Sequence, residues 1–139
     1  MEPILREPGA YPPEYVTSEE FTHMFSVEFE HDGLFTGLGD RRKYEGCTHD
    51  VFDYYHTDNW SIQVMNDCLE KIGYDTADPN IHVYWCMPEI TSILDGLVCV
   101  DNFQVIAAMN SASREQKTLY LLVLDEKDHI WCDVVIKLP

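Results

Sequence analysis

The most demanding segment of this chain is Thr118 to Leu124, TLYLLVL. It is apolar at odd and even positions alike, so as a strand it has no face to offer to water. A strand of that kind belongs in the middle of a sheet that is covered on both sides. The rest of the chain must therefore supply strand neighbours and cover.

The principal cover is the stretch Trp60 to Tyr74, WSIQVMNDCLEKIGY. Val64, Met65, Cys68, Leu69 and Ile72 recur with the spacing of one helical face, and Gln63, Asn66, Asp67, Glu70 and Lys71 take the other. Ser61 is placed to cap the first turn. Trp60 and Met65 flank it as a hydrophobic staple, and Gly73 stands where a left-handed C-terminal residue is wanted. A helix of this length is marginal alone and needs a surface to lie on.

Strands to make that surface precede and follow it. Phe21 to Glu30 alternates, with Phe25, Val27 and Phe29 inward and Ser26, Glu28 and Glu30 outward. Asp32-Gly33 is a hairpin-turn pair, and Leu34-Phe35 begins the return. Gly37, Gly39 and the basic run Arg41-Arg42-Lys43 interrupt it as a loop or bulge, and Cys47 to Tyr55 completes or extends it. Ile81 to Met87 reads as a strand ended by Pro88. A loop through Glu89, Asp95 and Gly96 leads to a short extended piece, Leu97 to Val100. Asp101 is expected to cap a second, short helix, Asn102 to Met109. Ile130 to Leu138 is a further candidate strand. Residues 1–20, rich in Pro and Glu, read as a flexible leader that drapes on the domain through Tyr11 or Tyr15; residues 21–139 read as a single domain.

The element order predicts an α+β fold of the β-grasp, ubiquitin-like type. Its mixed sheet has four to five strands, the first and the late strand parallel, with one main helix across it and a second short one.

Charge narrows the function. Nine Lys and Arg against 25 Asp and Glu give a formal net charge of −16. Phosphate backbones and acidic membrane surfaces are repelled by such a chain, and a basic protein surface is attracted. No direct nucleic-acid binding and no membrane docking are expected. No apolar run approaches the ~20 residues of a membrane span, and the first residues lack a signal-peptide pattern. A nuclear or cytoplasmic location is the expectation. The five cysteines are scattered without CxxC spacing, which fits reduced, mostly buried thiols.

No catalytic or cofactor motif emerges. Cys47, His49, Asp53 and His56 are the best metal-ligand candidates, but no CxxC or HxxxH clip joins them, and no metal or cofactor is expected. Ser61 and Ser113 have no GxSxG surroundings. The glycines at 33, 37 and 39 do not make a phosphate loop. What remains is an interaction surface. Glu28, Glu30, Asp32, Asp50 and Asp53 are expected to gather on the outer side of the first hairpin, facing a basic partner. Arg41, Arg42 and Lys43 offer a counter-surface for a second copy.

Several segments together carry a resemblance: FSVEFEHDGLF, YEGCTHDVFDYYHTDNWS, LEKIGY, VYWCMP and DGLVCVDNFQVIAAM, from about Phe25 to Val123. The sequence resembles the PB1-like domains of plants, often found at the N-terminus of Mutator-like transposases and related proteins. That resemblance implies a β-grasp fold and a non-catalytic role in protein–protein contact. The alternatives are an accessory domain of a larger transposase-like DNA-handling protein and, last, a small metal-dependent enzyme. The chain departs from front-to-back pairing PB1 domains. Its first strand carries no Lys or Arg, and Glu89, Asp95 and Asp101 are spread out rather than dense.

Overall fold

The computed structural model describes residues 2–17, 23–36, 43–87 and 97–126. The expectations for Arg41, Arg42, Glu89, Asp95 and the terminal strand Ile130–Leu138 lie outside the described residues, as does the side chain of Lys43. The elements are β1 (Ile4–Leu5), α1 (Glu14–Thr17), β2 (Met24–His31), β3 (Leu34–Thr36), β4 (Lys43–Glu45), β5 (Thr48–His56), α2 (Ile62–Lys71), β6 (Ile81–Cys86), β7 (Leu97–Cys99), α3 (Phe103–Gln116) and β8 (Thr118–Asp125).

β8 lies inside a six-stranded sheet of order β1-β5-β2-β8-β6-β7. It runs parallel to β2, with Val27 opposite Leu119 and Phe29 opposite Leu121. It runs antiparallel to β6. The hairpin partners β2 and β5 are antiparallel. The sheet is thus mixed, with the first and last long strands adjacent at its centre, as the β-grasp expectation requires. It is wider than expected, because β1 joins the edge of β5.

One face carries the main core. Phe25, Val27 and Phe29 of β2, Phe52 and Tyr55 of β5, Val83 and Trp85 of β6, and Leu119, Leu121 and Val123 of β8 meet Met65, Cys68 and Leu69 of α2 and Ile106 and Met109 of α3. Val64 and Ile72 pack at its margin, partly buried. The helix ends behave as the sequence indicates. Ser61 Oγ accepts from Val64 N–H at 3.1 Å. At the other end Tyr74 N–H reaches Leu69 O at 2.9 Å and Gly73 N–H reaches Glu70 O at 3.1 Å, with Gly73 at φ 100°. These are the two bonds of a Schellman ending, and they need a residue that tolerates positive φ.

α3 differs from expectation. Its cap is Asn102, whose Oδ1 accepts from Val105 N–H at 3.0 Å. It runs on past Met109 to Gln116, with Lys117 in the left-handed region at φ 61°. The added turns look polar in sequence, but they tie into the core. Asn110 Nδ2 donates to Trp60 O at 3.1 Å and its Oδ1 accepts from Trp60 N–H at 3.2 Å. Ser113 is buried. A side-chain amide satisfying a buried backbone removes the cost that a polar residue would otherwise bring there.

Among the described residues, the second face is covered only in part. Asp32-Gly33 turns the chain, but not directly into the return strand. β3 and β4 form a separate two-stranded ribbon, and β5 alone pairs back along β2. Tyr44 of that ribbon packs on a smaller cluster of Tyr84, Leu97, Leu122 and Leu124. Its hydroxyl donates to Val123 O and accepts from Gly33 N–H, both at 2.9 Å. Burial pushes that phenol up to about 12, so it stays a donor. A Cβ at position 33 would lie 2.8 Å from the Tyr44 ring, which explains the glycine.

Cys47, Cys68, Cys86 and Cys99 are all free thiols, Cys68 fully buried and the others half-buried. Burial raises Cys68 to about 11 and Cys86 to about 12.

This packing separates the two faces of α2. Leu69→Ala should cost about 2–5 kcal/mol, through lost burial and the cavity left behind. The exposed Gln63→Ala should cost under about 0.5 kcal/mol. Urea unfolding of both variants checks it, and equal small losses would remove the case for α2 as the main cover.

Candidate functional site: the outer face of the β2–β5 hairpin

The alternation of β2 places Phe25, Val27 and Phe29 in the core and turns Ser26, Glu28 and Glu30 to the opposite face. The described acidic residues expected there do not form one surface. Glu28 and Glu30 lie on it side by side, half-buried, with His49 across the hairpin from Glu30. His49 Nδ1 is 3.8 Å from Glu30 Oε1, and its Nε2 is 3.4 Å from Cys47 Sγ. Burial raises the Glu28 carboxyl above its ordinary range. His49 pulls against that and the Glu30 charge adds to it.

Asp50 belongs to the other face. It is opposite Phe29, and its Oδ2 lies 2.7 Å from Nε2 of the buried His31. Asp32, at the turn, joins that cluster rather than the outer face. Tyr74 OH donates to Asp32 Oδ1 at 2.6 Å and lies 3.1 Å from His31 Nδ1. The physical reason is parity: positions 50 and 53 are an odd number apart, so they cannot share a face of a regular strand.

Asp53 does point outward, but it is 3% exposed. The register slips between Phe25 and Val27, so Asp53 and Tyr54 together stand opposite Ser26. This is a β-bulge, with Tyr54 at φ 72°. Tyr15, from α1, plugs it. Its hydroxyl accepts from Tyr54 N–H at 2.8 Å and lies 2.7 Å from Ser26 Oγ. Ser26 Oγ in turn donates to Asp53 Oδ1 at 2.6 Å. Arg6 closes the cluster with a two-pronged contact, Nε to Oδ2 at 2.9 Å and Nη2 to Oδ1 at 2.6 Å. Asp53 is therefore a neutralised anchor, and the segment read as a leader supplies its cation. The sequence offered one signal, an arginine alone among the acids of residues 2–17.

The metal candidates are dispersed in the same way. Asp53 is taken by Arg6, and His56 stacks on His23 with ring centroids 5.9 Å apart. Glu28, Glu30 and His49 instead bring one donor atom each within 4.8 Å of one another. Two carboxylates and an imidazole on an open face can offer three of the about four ligands that zinc prefers. A groove of about 230 Å³ between α2 and the β6–β7 end is lined by Ile62, Met65, Leu69, Val83, Val100 and Asp101 among others. It is smaller than the about 300–1,000 Å³ of small-molecule sites.

Two measurements check this geometry. Arg6→Ala leaves a buried carboxylate without its cation and should cost about 3 kcal/mol, read by urea unfolding. The second concerns pH. A carboxyl raised in the folded state contributes stability below its ordinary value of 4.5 and loses it as pH rises through the raised value. Glu28→Gln should therefore unfold at a higher temperature than the wild type at pH 7, and the gap should close below about pH 4.5. A gap that widens in acid would overturn the assignment.

Residues 21–125 match the family model of the PB1-like domain. No curated protein and no solved structure matched the chain. The family match covers most of the chain, with both partners of the central parallel strand pair and both long helices inside it: the chain belongs to the PB1-like domain family.

Proposed function

We propose that this PB1-like domain is a non-catalytic protein-interaction module that meets a basic partner surface through Glu28 and Glu30. The interaction role rests on the family. The observation that carries the choice of face is the pairing of these two carboxylates on the outer side of β2. That strand holds no lysine or arginine. The formal charge of −16 adds a long-range field of the same sign. Asp32 and Asp50 are engaged by Tyr74 and His31 away from this face, and Asp53 holds the bulge, so none of the three is part of the contact. Arg41, Arg42 and Lys43 provide a basic counterpart for self-association. The resemblance of the quoted segments supports derivation from the N-terminal region of a transposase, and a place in the nucleus or cytoplasm.

The test starts from capture of partners in plant nuclear extract, identified by mass spectrometry. Binding of the purified partner is then compared with that of Glu28→Lys/Glu30→Lys. The reversal should slow association by at least tenfold at low salt and flatten its salt dependence, because charge steers encounter more than it holds a complex. The melting temperature should change little, since two adjacent lysines repel each other as the two glutamates do, while the net charge falls from −16 to about −12. Association that stays fast at low salt in the folded double variant rules this face out.

A further inference from the structure

β1 is a poor strand by every local measure. It has two residues, Ile4 and Leu5, and both are exposed. It pairs antiparallel to β5 through Ile4 opposite Asp53 and Leu5 opposite Phe52, with Arg6 N–H donating to Val51 O at 2.7 Å. Apolar burial does not hold it there. What holds it is the guanidinium of Arg6 on Asp53, whose side chain is 4% exposed. Three observations make this seat look like a groove with an occupant. The edge of β5 is longer than the occupant: β5 spans Thr48–His56, and among the described residues the bridge pairs on that side reach only Phe52 and Asp53. The buried carboxylate is already shaped by Ser26 and Tyr15, both outside β1. The family match begins at residue 21, so β1 lies outside the segment that the family shares, whereas β5 and Asp53 lie within it.

We propose that the β5 edge is a docking site for an extended protein segment running antiparallel to it, with an arginine on the strand face of Asp53, and that Ile4–Arg6 occupies this site as an intramolecular competitor. The tether between Arg6 and the Tyr15 anchor carries Pro8, Pro12 and Pro13 and a left-handed Gly9 at φ 81°. It holds the arm near its seat at an effective concentration on the order of millimolar. A partner strand displaces the arm by pairing along more of β5 while presenting the same arginine. Strand addition at a sheet edge takes affinity from backbone pairing and specificity from such a side-chain contact. Glu28 lies across β5 from this seat, opposite Val51, and its charge favours the Arg6 cation, so the seat is tested with Glu28 and Glu30 left in place.

The probe is a synthetic peptide of this chain's own residues 2–9, EPILREPG, fluorescently labelled, and a second peptide with alanine in place of the arginine. Both are titrated against the full chain and its Arg6→Ala variant by anisotropy. Arg6→Ala, whose own arm has lost its anchor, should bind the first peptide at least tenfold more tightly than the wild type does. The alanine peptide should bind it at least tenfold more weakly. The first peptide should also raise the melting temperature of Arg6→Ala. Equal affinity of the two chains for the peptide, or of the two peptides for Arg6→Ala, overturns the proposal. An Arg6→Ala chain that is unfolded and stays so with saturating peptide overturns it too, since the peptide restores the missing cation. Arg6→Lys, which keeps a cation without the two-pronged contact, should fall between the two chains.

Discussion

The structure depends on covering β8. Its core-facing residues Leu119, Leu121 and Val123 and its outward Leu122 and Leu124 are all buried, so neither face of the sheet could be left to water. Apolar burial is worth roughly 25 cal/mol per Å², and among the described residues no other strand asks for it on both sides over such a length. The two helices meet the demand on one face and the β3–β4 ribbon meets it on the other. The arrangement also explains why the ribbon exists. A plain hairpin from β2 to β5 would leave Leu122 and Leu124 uncovered. Leaving and re-entering the sheet between His31 and Thr48 lets Tyr44 reach across to Val123.

The cover on the second face stops short. Tyr120 of β8 is exposed beside Glu28, its opposite number on β2. That boundary is where the sheet changes from a packed surface to an acidic one, and it frames the face assigned to partner contact. Further along, the bulge at Asp53 and Tyr54 bends the hairpin and frees a backbone amide, which Tyr15 satisfies. A bulge aims side chains that a regular ladder would not. Here it aims a carboxylate at a seat where a cation must follow, since a buried charge without a partner is strongly unfavourable.

The N-terminal segment shows how an electrostatic contact substitutes for hydrophobic packing. Residues 2–17 include a buried Tyr15 and a mostly buried Arg6 side chain, yet Ile4, Leu5 and Tyr11 stay exposed. Such a segment is located by a few directed bonds rather than by area. Directed bonds can be re-made by another donor of the same shape, whereas a buried apolar surface holds its own chain by sheer extent.

By itself the sequence determined the periodic parts. The two-sided apolar run of β8, the alternation of Phe25, Val27 and Phe29, and the face of α2 with its Ser61 and Gly73 ends are local patterns, each written within a dozen residues. The β-grasp order followed from them, while the family rested on the resemblance of particular segments. The candidate face was legible only as far as Glu28 and Glu30, whose orientation is set by the same alternation. Tertiary structure decided what depends on partners distant in the chain. Asp50 went to His31 and Asp53 to Arg6, because a bulge and an odd offset separate positions that look adjacent in sequence. α3 outran its apolar pattern because Asn110 bonds the Trp60 backbone and Ser113 is buried with its hydroxyl satisfied inside the helix by Asn110 O. The leader became an edge strand because a buried carboxylate 47 residues away required its arginine. Hydrophobic periodicity is a property of neighbours along the chain. The pairing of a buried charge is a property of neighbours in space, and only the fold chooses those.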